Sequence, residues 1–340
     1  MVKRMANMRI LVTGANGFLG NNIVRKLIEK HAEVRALVLP NEEPRALKDL
    51  DCKIYRADVT KKETLKEIFE AENDAHLIVI HCAAIVYIKS KYSKAVEDVN
   101  IGGTVNIAEK CLEKNARLVY VNSVHSIPEK PNNEIITEIN HFSKDDVTGE
   151  YAKSKAEAAE YVLNAVKEKG LDAVVLHPSG IIGPGDFGRS HLTQMITDYA
   201  NGRLSACVRG GYDFVDVRDV ADGVISACEK GKSGECYILS NKYISVKELL
   251  DDISVAANVK KIKTVLPMWF AKVTAPLSEM YYKILKQPPL YTKYSLYTLT
   301  ANANFSNEKA KRELGFSTRN IMDTLRDTVS WLREKGRIKA

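Results

Sequence analysis

Tyr151 and Lys155 stand four residues apart in the run Gly149-Glu-Tyr-Ala-Lys-Ser-Lys155, about 130 residues after the glycine-rich stretch Thr13-Gly-Ala-Asn-Gly-Phe-Leu-Gly20. The Ala, Glu and Lys content of the segment from Tyr151 to Lys169 predicts a helix. Residues at i and i+4 then share a face, one turn apart. A positive charge roughly 4 Å from a phenolate is worth on the order of 4 kcal/mol at an effective dielectric near 20, or roughly three pKa units. The spacing therefore predicts a tyrosine able to exchange a proton near neutral pH. Helices carry such pairs by chance, so the pair alone does not define an active site. The glycine stretch supplies the second half of the argument.

Gly14, Gly17 and Gly20 directly follow the apolar run Ile10-Leu-Val12 and open an amphipathic segment. In such a turn the first glycine permits the tight bend and the second lets backbone N–H groups approach a pyrophosphate. The third brings helix and strand close. The helix N-terminus adds a partial positive charge facing the phosphates. Tight packing alone is the plainer reading of three glycines, but the strand before and the helix after favour a dinucleotide site. Asn16, Phe18 and Leu19 fall in the same turn and are expected to border the cofactor. An acid about 20 residues on selects NAD in this kind of site. Leu39 stands there instead, followed by Pro40-Asn-Glu-Glu43, with no adjacent arginine for a 2′-phosphate. Glu42 and Glu43 would repel such a phosphate, so the choice between NAD(H) and NADP(H) leans to NAD(H).

The elements that would carry these residues alternate through the first half of the chain. Arg9–Thr13, Glu33–Leu39, Lys53–Ala57, His76–Cys82, Arg117–Asn122 and Asp172–His177 read as strands. Helical patterns lie between them at about 18–30, 61–71, 91–114 and 149–169. This alternation predicts βαβ units with right-handed crossovers, an α/β Rossmann-type doubly wound parallel sheet that binds ligands beyond the carboxyl ends of its strands. A dinucleotide-binding domain is expected over 1–178 and a smaller C-terminal substrate-binding lobe over 179–340, some later segments returning to the first domain near 214–230. Short strands are expected in the second part near Phe214–Val217, Cys236–Leu239 and Lys261–Val265.

The 340 residues are 45% hydrophobic and 27% charged, which suits a soluble globular protein with a large core. The six cysteines, Cys52, Cys82, Cys111, Cys207, Cys228 and Cys236, show neither C-x-x-C pairing nor metal-ligand spacing. Reduced thiols, a cytoplasmic location and no metal are the expectation. The net charge of +7 comes from basic residues interspersed with acids, a solvated surface rather than a nucleic-acid site. The start Met1-Val-Lys-Arg-Met-Ala-Asn has no signal-peptide pattern. The aromatic segment 267–285 is broken by Lys272, Pro276, Glu279 and Lys283, so no transmembrane span is expected. It reads as a cover for the pocket or a subunit contact, with peripheral membrane contact as the alternative.

With these motifs the chain resembles the extended short-chain dehydrogenases/reductases of the NAD-dependent epimerase/dehydratase superfamily, over nearly its whole length. The nearest branch holds dihydroflavonol-reductase-like and 3β-hydroxysteroid-dehydrogenase-like proteins. Three runs carry the branch resemblance: His177-Pro-Ser-Gly-Ile-Ile-Gly-Pro-Gly-Asp186, Phe214-Val-Asp-Val-Arg-Asp-Val-Ala-Asp222 and Phe305-Ser-Asn-Glu-Lys-Ala-Lys-Arg-Glu-Leu-Gly315. The resemblance implies a catalytic set of Ser123, Tyr151 and Lys155, with Asn100 supporting the lysine through a polar network. It implies an adenine contact at Asp58 and Val59, and a cofactor wall of small residues at Cys82, Ala83 and Ala84. Pro178, Ser179 and Ile181 are expected near the nicotinamide, and Tyr151 and Lys155 also against its ribose. His125, Tyr87, Gly180 and Ile182 are substrate-side candidates, while Asp216, Arg218 and Asp219 fit either a salt-bridge network or substrate contact.

The implied reaction is hydride transfer between nicotinamide and a ketone or secondary alcohol; the aromatic lobe is compatible with a hydrophobic cyclic one such as a sterol- or flavonoid-like compound. Tyr151 would move the proton and Ser123 polarise the oxygen. Lys155 would lower the tyrosine pKa and bind ribose. Val124 and His125 follow Ser123 where sugar-nucleotide 4,6-dehydratases carry an Asp-Glu pair, which disfavours dehydration. A nucleotide-sugar 4-epimerase with retained NAD is the first alternative. A dinucleotide-sensing regulator without catalysis is the second, and the retained Ser123, Tyr151 and Lys155 speak against it. By analogy the partner is a second copy of the chain, a homodimer through the helices near 91–114 and 149–169.

Overall fold

The computed structural model describes residues 9–70, 76–88, 92–188, 190–275 and 292–339. Seven strands form the main sheet: β1 (Arg9–Thr13), β2 (Glu33–Val38), β3 (Lys53–Arg56), β4 (Leu77–His81), β5 (Arg117–Val121), β6 (Ala173–Pro178) and β10 (Cys236–Leu239). Their order is β10-β6-β5-β4-β1-β2-β3, and every pairing is parallel. The strand order reverses between β1 and β4, so a crevice opens beyond their carboxyl ends, the ligand position of doubly wound sheets.

The central strands are apolar along their length because helices cover both faces. Helices α1 (Phe18–Glu29) and α7 (Val217–Lys230) bury Leu19, Ile23, Leu27, Val220 and Val224 on one face. On the other face lie α4 (Thr104–Glu113) and α5 (Glu150–Lys169), through Ile107, Cys111, Ala156, Ala159 and Val162. The buried alanines of α5 bring its backbone close to the sheet. Its C-terminus stops at Gly170 in the left-handed region, with Lys167 and Lys169 in the last turn where cations suit the helix dipole.

The stretch expected over 61–71 is a 3₁₀ turn, Lys62–Leu65, running into the single-turn α2 (Lys66–Phe69); residue 71 lies outside the described residues. The stretch expected over 91–114 starts at α3 (Lys94–Glu97) and reaches α4 through a π-helical turn, Asp98–Gly103.

Beyond Ser179 the chain leaves the main sheet. Strand β7 (Gly180–Ile182) pairs with β9 (Gly211–Asp216), which pairs antiparallel with β11 (Lys242–Ser245); β8 (Ala206–Val208) pairs with β12 (Thr264–Leu266). Helices α6 (His191–Ala200), α8 (Val246–Ala257) and α11 (Ile321–Glu334) close this lobe around Ile196, Phe214, Leu250, Ile253 and Leu325. Strand β10 then returns to the main sheet beside β6, and α9 (Lys293–Thr298) and α10 (Glu308–Leu314) follow.

Asp216, Arg218 and Asp219 form an ion-pair network with Arg319. Arg218 makes a bidentate contact to Asp216 at 3.0 and 2.7 Å, and Arg319 Nη2 meets Asp219 at 2.7 Å. Their structural role is to fasten the start of α7 to the entry of α11. Of the segment 267–285, residues 276–285 lie outside the described residues; 268–275 is helical and exposes Trp269 and Val273. Among the described residues no helix is long and apolar enough to cross a membrane.

Candidate active site

The glycine turn is built as a cradle. Gly14 has φ +63°, and a Cβ there would stand 2.8 Å from the Ala83 backbone nitrogen. A Cβ on Gly20 would stand 2.1 Å from the Gly14 carbonyl oxygen. Gly17 caps α1 without any side-chain cap bond, so the first backbone N–H groups of a twelve-residue helix face the crevice free of a local acceptor. That arrangement fits a pyrophosphate. Phe18 is half-buried and Leu19 buried in the first turn of α1. Across the crevice, Cys82, Ala83 and Ala84 follow β4, and Ala83 N–H donates to Thr13 Oγ1 at 3.2 Å. A polar chain lies beneath them. His81 joins Thr13 Oγ1 at 2.7 Å to Thr104 Oγ1 at 3.1 Å, and Thr104 donates to the Asn100 carbonyl at 2.7 Å.

Asn16 is not directed at the phosphates. Its Oδ1 accepts from Ala46 N–H, and its Nδ2 donates to Glu42 Oε1 at 2.5 Å and to the Glu43 carbonyl. Glu42 also accepts from the Leu39 backbone N–H at 3.2 Å, so its carboxylate is held at the end of β2 beside the glycine turn. Arg56 is engaged by the carbonyls of Pro40 and Glu42, and Arg45 pairs with Glu43. Asp58 receives Thr60 N–H and O–H on one oxygen, and buried Val59 accepts from Asn106 through its carbonyl.

Tyr151 sits in the first turn of α5, and Ser123, two residues past β5, is the N-cap of the turn Val124–Ser126, its Oγ accepting from His125 N–H at 3.2 Å. Burial pushes the Tyr151 phenol up to about 12, and the nearby Ser123 hydroxyl opposes that rise. Lys155 departs from the expectation drawn from its spacing. Its Nζ donates to the Val121 carbonyl at 2.9 Å and to the Tyr120 hydroxyl at 3.2 Å, and lies 4.7 Å from the Tyr120 ring centre. Burial lowers its pKa to about 7. With both groups enclosed, desolvation favours their neutral forms over a charged pair. Asn100 does not reach the lysine. It ties Ile85 N–H and carbonyl, at 2.8 and 3.1 Å, to Ser154 Oγ at 3.0 Å, so it positions α5 through the residue before Lys155.

His125 stacks on Tyr212 at 5.5 Å, with Nε2 at 3.1 Å from the Tyr212 hydroxyl, and meets the edge of Tyr151 at 5.9 Å. Pro178 ends β6. Ser179 donates to Asp213 Oδ1 at 2.5 Å, and burial raises the Asp213 carboxyl to about 6 against that bond. Gly180 passes close to the Asp213 carbonyl, and Ile181 is half-buried beside it. Ile182 packs in the lobe core, behind the pocket wall, because its strand alternation turns it inward. Tyr87 is half-buried after β4. A cavity of about 140 Å³ is lined by Val124, His125, Ile136, Tyr212 and Phe305, among others. It shares His125 and Tyr212 with the tyrosine cluster, while neither Ser123 nor Tyr151 lines it. Tyr212 and Tyr294 are site residues that local sequence reasoning misses; the only signal is the aromatic richness of the lobe.

A model described as the NAD dependent epimerase/dehydratase family matches residues 10–240. The chain belongs to that family. As a member it is an enzyme of the extended short-chain dehydrogenase/reductase type. It is 28% identical over 340 residues to "Sterol demethylase protein B" of Methylococcus capsulatus, covering 97% of this chain and 100% of that one. It is 29% identical over 340 residues to a putative dihydroflavonol 4-reductase of Synechocystis, covering 96% and 95%. The crystal structure of gox2253 superposes on this family member with a TM-score of 0.83 at 31% identity, over 97% of this chain and 99% of that one.

The buried histidines of the site predict acid sensitivity. Burial lowers His81 to about 3 and His125 and His177 to about 4. Unfolded, each takes up a proton near pH 6.5; folded, it does not. Their contribution is therefore complete above about pH 6.5 and is lost as pH falls through the window down to about 4. Asp213, raised, works in the opposite sense but is one group against three. The expected loss is on the order of 5 kcal/mol by about pH 5. Melting temperatures from pH 7 downward check this: a flat profile to about pH 5 contradicts it.

Proposed function

We propose that this enzyme transfers a hydride between NAD(H) and a ketone or secondary alcohol, with Tyr151 as the proton donor and acceptor. The observation that carries this reading is the cradle that only glycines fit, in a fold that also buries the Tyr151 phenol at the start of α5 and Ser123 just beyond β5. Bound there, the nicotinamide supplies or accepts the hydride. The chain's own residues do the rest. Tyr151, kept protonated by burial, holds the proton that a developing alkoxide takes in reduction. Ser123 Oγ–H donates to the same oxygen. Lys155, held against the end of β5 by the Val121 carbonyl and the Tyr120 hydroxyl, is assigned the ribose hydroxyls by the family resemblance. Gly14, Gly17 and Gly20 hold the pyrophosphate, and Asp58 and Val59 the adenine. The reading includes a homodimer through α4 and α5 and a cytoplasmic location.

Dehydration finds little support. Val124 is apolar, and His125 is neutral and engaged with Tyr212, so the acid and base that would eliminate water are not in place.

Glu42 supports NAD over NADP. Its carboxylate occupies the end of β2, and neither Arg45 nor Arg56 is free to meet a 2′-phosphate. NADH is expected to bind at least about tenfold more tightly than NADPH, a difference of ~1.4 kcal/mol. Glu42→Ala should narrow that gap. Titration of both cofactors against intrinsic fluorescence measures it, and equal affinities for the unaltered chain would remove the assignment. Loss of NADH absorbance with a panel of ketones, aldehydes, steroids and flavonoids tests the reaction itself.

A further inference from the structure

We propose that Tyr294 is a substrate-binding residue, whose hydroxyl donates a hydrogen bond to a second oxygen of the substrate, near the one held by Tyr151 and Ser123. The proposal rests on the catalytic reading of Tyr151 and narrows the substrate to a ketone or alcohol bearing a neighbouring hydroxyl or carbonyl.

Tyr294 belongs to the C-terminal lobe, yet the fold delivers it to the N-terminus of the catalytic helix. Gly149, two residues before Tyr151, has φ +102°, and a Cβ there would lie 2.1 Å from Tyr294 Cε2 and 2.7 Å from its Cζ. The glycine therefore makes room for the phenol end of this ring. The Tyr294 ring centre is 6.2 Å from that of His125, the same imidazole that meets Tyr151 and Tyr212. Three tyrosines thus converge on one histidine. Burial first, and the neighbouring Tyr151 second, raise the Tyr294 pKa above its ordinary value.

The hydroxyls of this cluster differ in one respect. The Tyr212 hydroxyl has His125 Nε2 at 3.1 Å. The Tyr294 hydroxyl is buried, in a residue only 7% exposed, and has no hydrogen-bond partner among the described residues. A buried donor without an acceptor costs free energy, and native structures keep such groups mainly where something else completes them. Its placement is not accidental. Thr292 caps α9, accepting from Ser295 N–H at 3.0 Å and donating to the Ile88 carbonyl at 2.7 Å, and this pins the helix to the segment after β4. Burial keeps the phenol protonated, so its O–H needs an acceptor, and in the proposal a substrate oxygen supplies it.

Tyr294→Phe tests this, because the ring and its fit against Gly149 are kept. The probes are trans-cyclohexane-1,2-diol and cyclohexanol, titrated by calorimetry into protein saturated with NAD⁺. The unaltered chain is expected to bind the diol about tenfold more tightly, and Tyr294→Phe to bind the two alike within about twofold. The melting temperature of the cofactor-free variant should equal or exceed that of the unaltered chain, since no protein partner is lost. No preference for the diol, including no detectable binding of either probe, overturns the proposal. So does a preference that survives in Tyr294→Phe, or a variant that melts lower. Failure of the hydride-transfer reading shows separately, as absent NADH oxidation, and leaves this binding comparison standing.

Discussion

Tyr151→Phe is expected to lower kcat by about a thousandfold while leaving the cofactor dissociation constant within about twofold of its starting value. The substitution removes one oxygen and keeps the ring that meets His125 edge-on. What is lost is the hydroxyl proton that balances hydride transfer. Because burial drives the Tyr151 pKa up rather than down, the free enzyme holds this group as a phenol at neutral pH, the form needed to protonate an alkoxide. Rapid kinetics with NADH and fluorescence titration of the variant separate the two effects. A variant that keeps full activity removes Tyr151 from the mechanism, and one that loses cofactor affinity in parallel makes its role structural.

Gly20→Ala is expected to weaken cofactor binding by at least about a hundredfold and to cost about 2 kcal/mol of stability. The new Cβ would stand 2.1 Å from the Gly14 carbonyl oxygen, 2.8 Å from its carbonyl carbon and 2.9 Å from Ala15 Cα. All three are backbone atoms of the turn, so relief requires opening the cradle itself. Gly102→Ala is the control, with nothing within 4 Å of the added methyl. Calorimetric titration with NADH and thermal melts of both variants decide the matter. Equal behaviour of the two would mean that the turn is not the cofactor's seat.

What could be read from the sequence divides along a physical line. Strands β1 to β6 and helices α1 and α5 were legible to within one or two residues, because each is a contiguous apolar or amphipathic run bounded by turn residues. The π-helical turn at Asp98–Gly103 was not, since the reason for it is tertiary: Asn100 must reach both Ile85 and Ser154. Cys236–Leu239 was legible as a strand, but its place beside β6 depends on a pairing far along the chain. In the site, the tight glycine turn was legible from the spacing of Gly14, Gly17 and Gly20. The partners of Lys155 were not: the i, i+4 rule places it near Tyr151, while the carboxyl end of β5 offers the Val121 carbonyl and the Tyr120 hydroxyl. Tyr212 and Tyr294 arrive from the lobe, and nothing in their local sequence marks them. Glu42 was noticed for its charge, and only the folded loop shows it held on Asn16 and the Leu39 N–H.

Net hydride transfer to an external substrate is read most plainly from its stoichiometry. Purified protein is mixed with excess NADH and an oxygenated cyclic ketone from the panel, and NADH loss at its near-ultraviolet band is compared with alcohol formed by chromatography. One NADH is expected to be consumed per alcohol, over many turnovers and with no nicotinamide retained after denaturation. Product formed without net loss of NADH, with NAD released from the denatured protein in amounts equal to the chain, would contradict it and assign the site to internal redox chemistry of the epimerase kind.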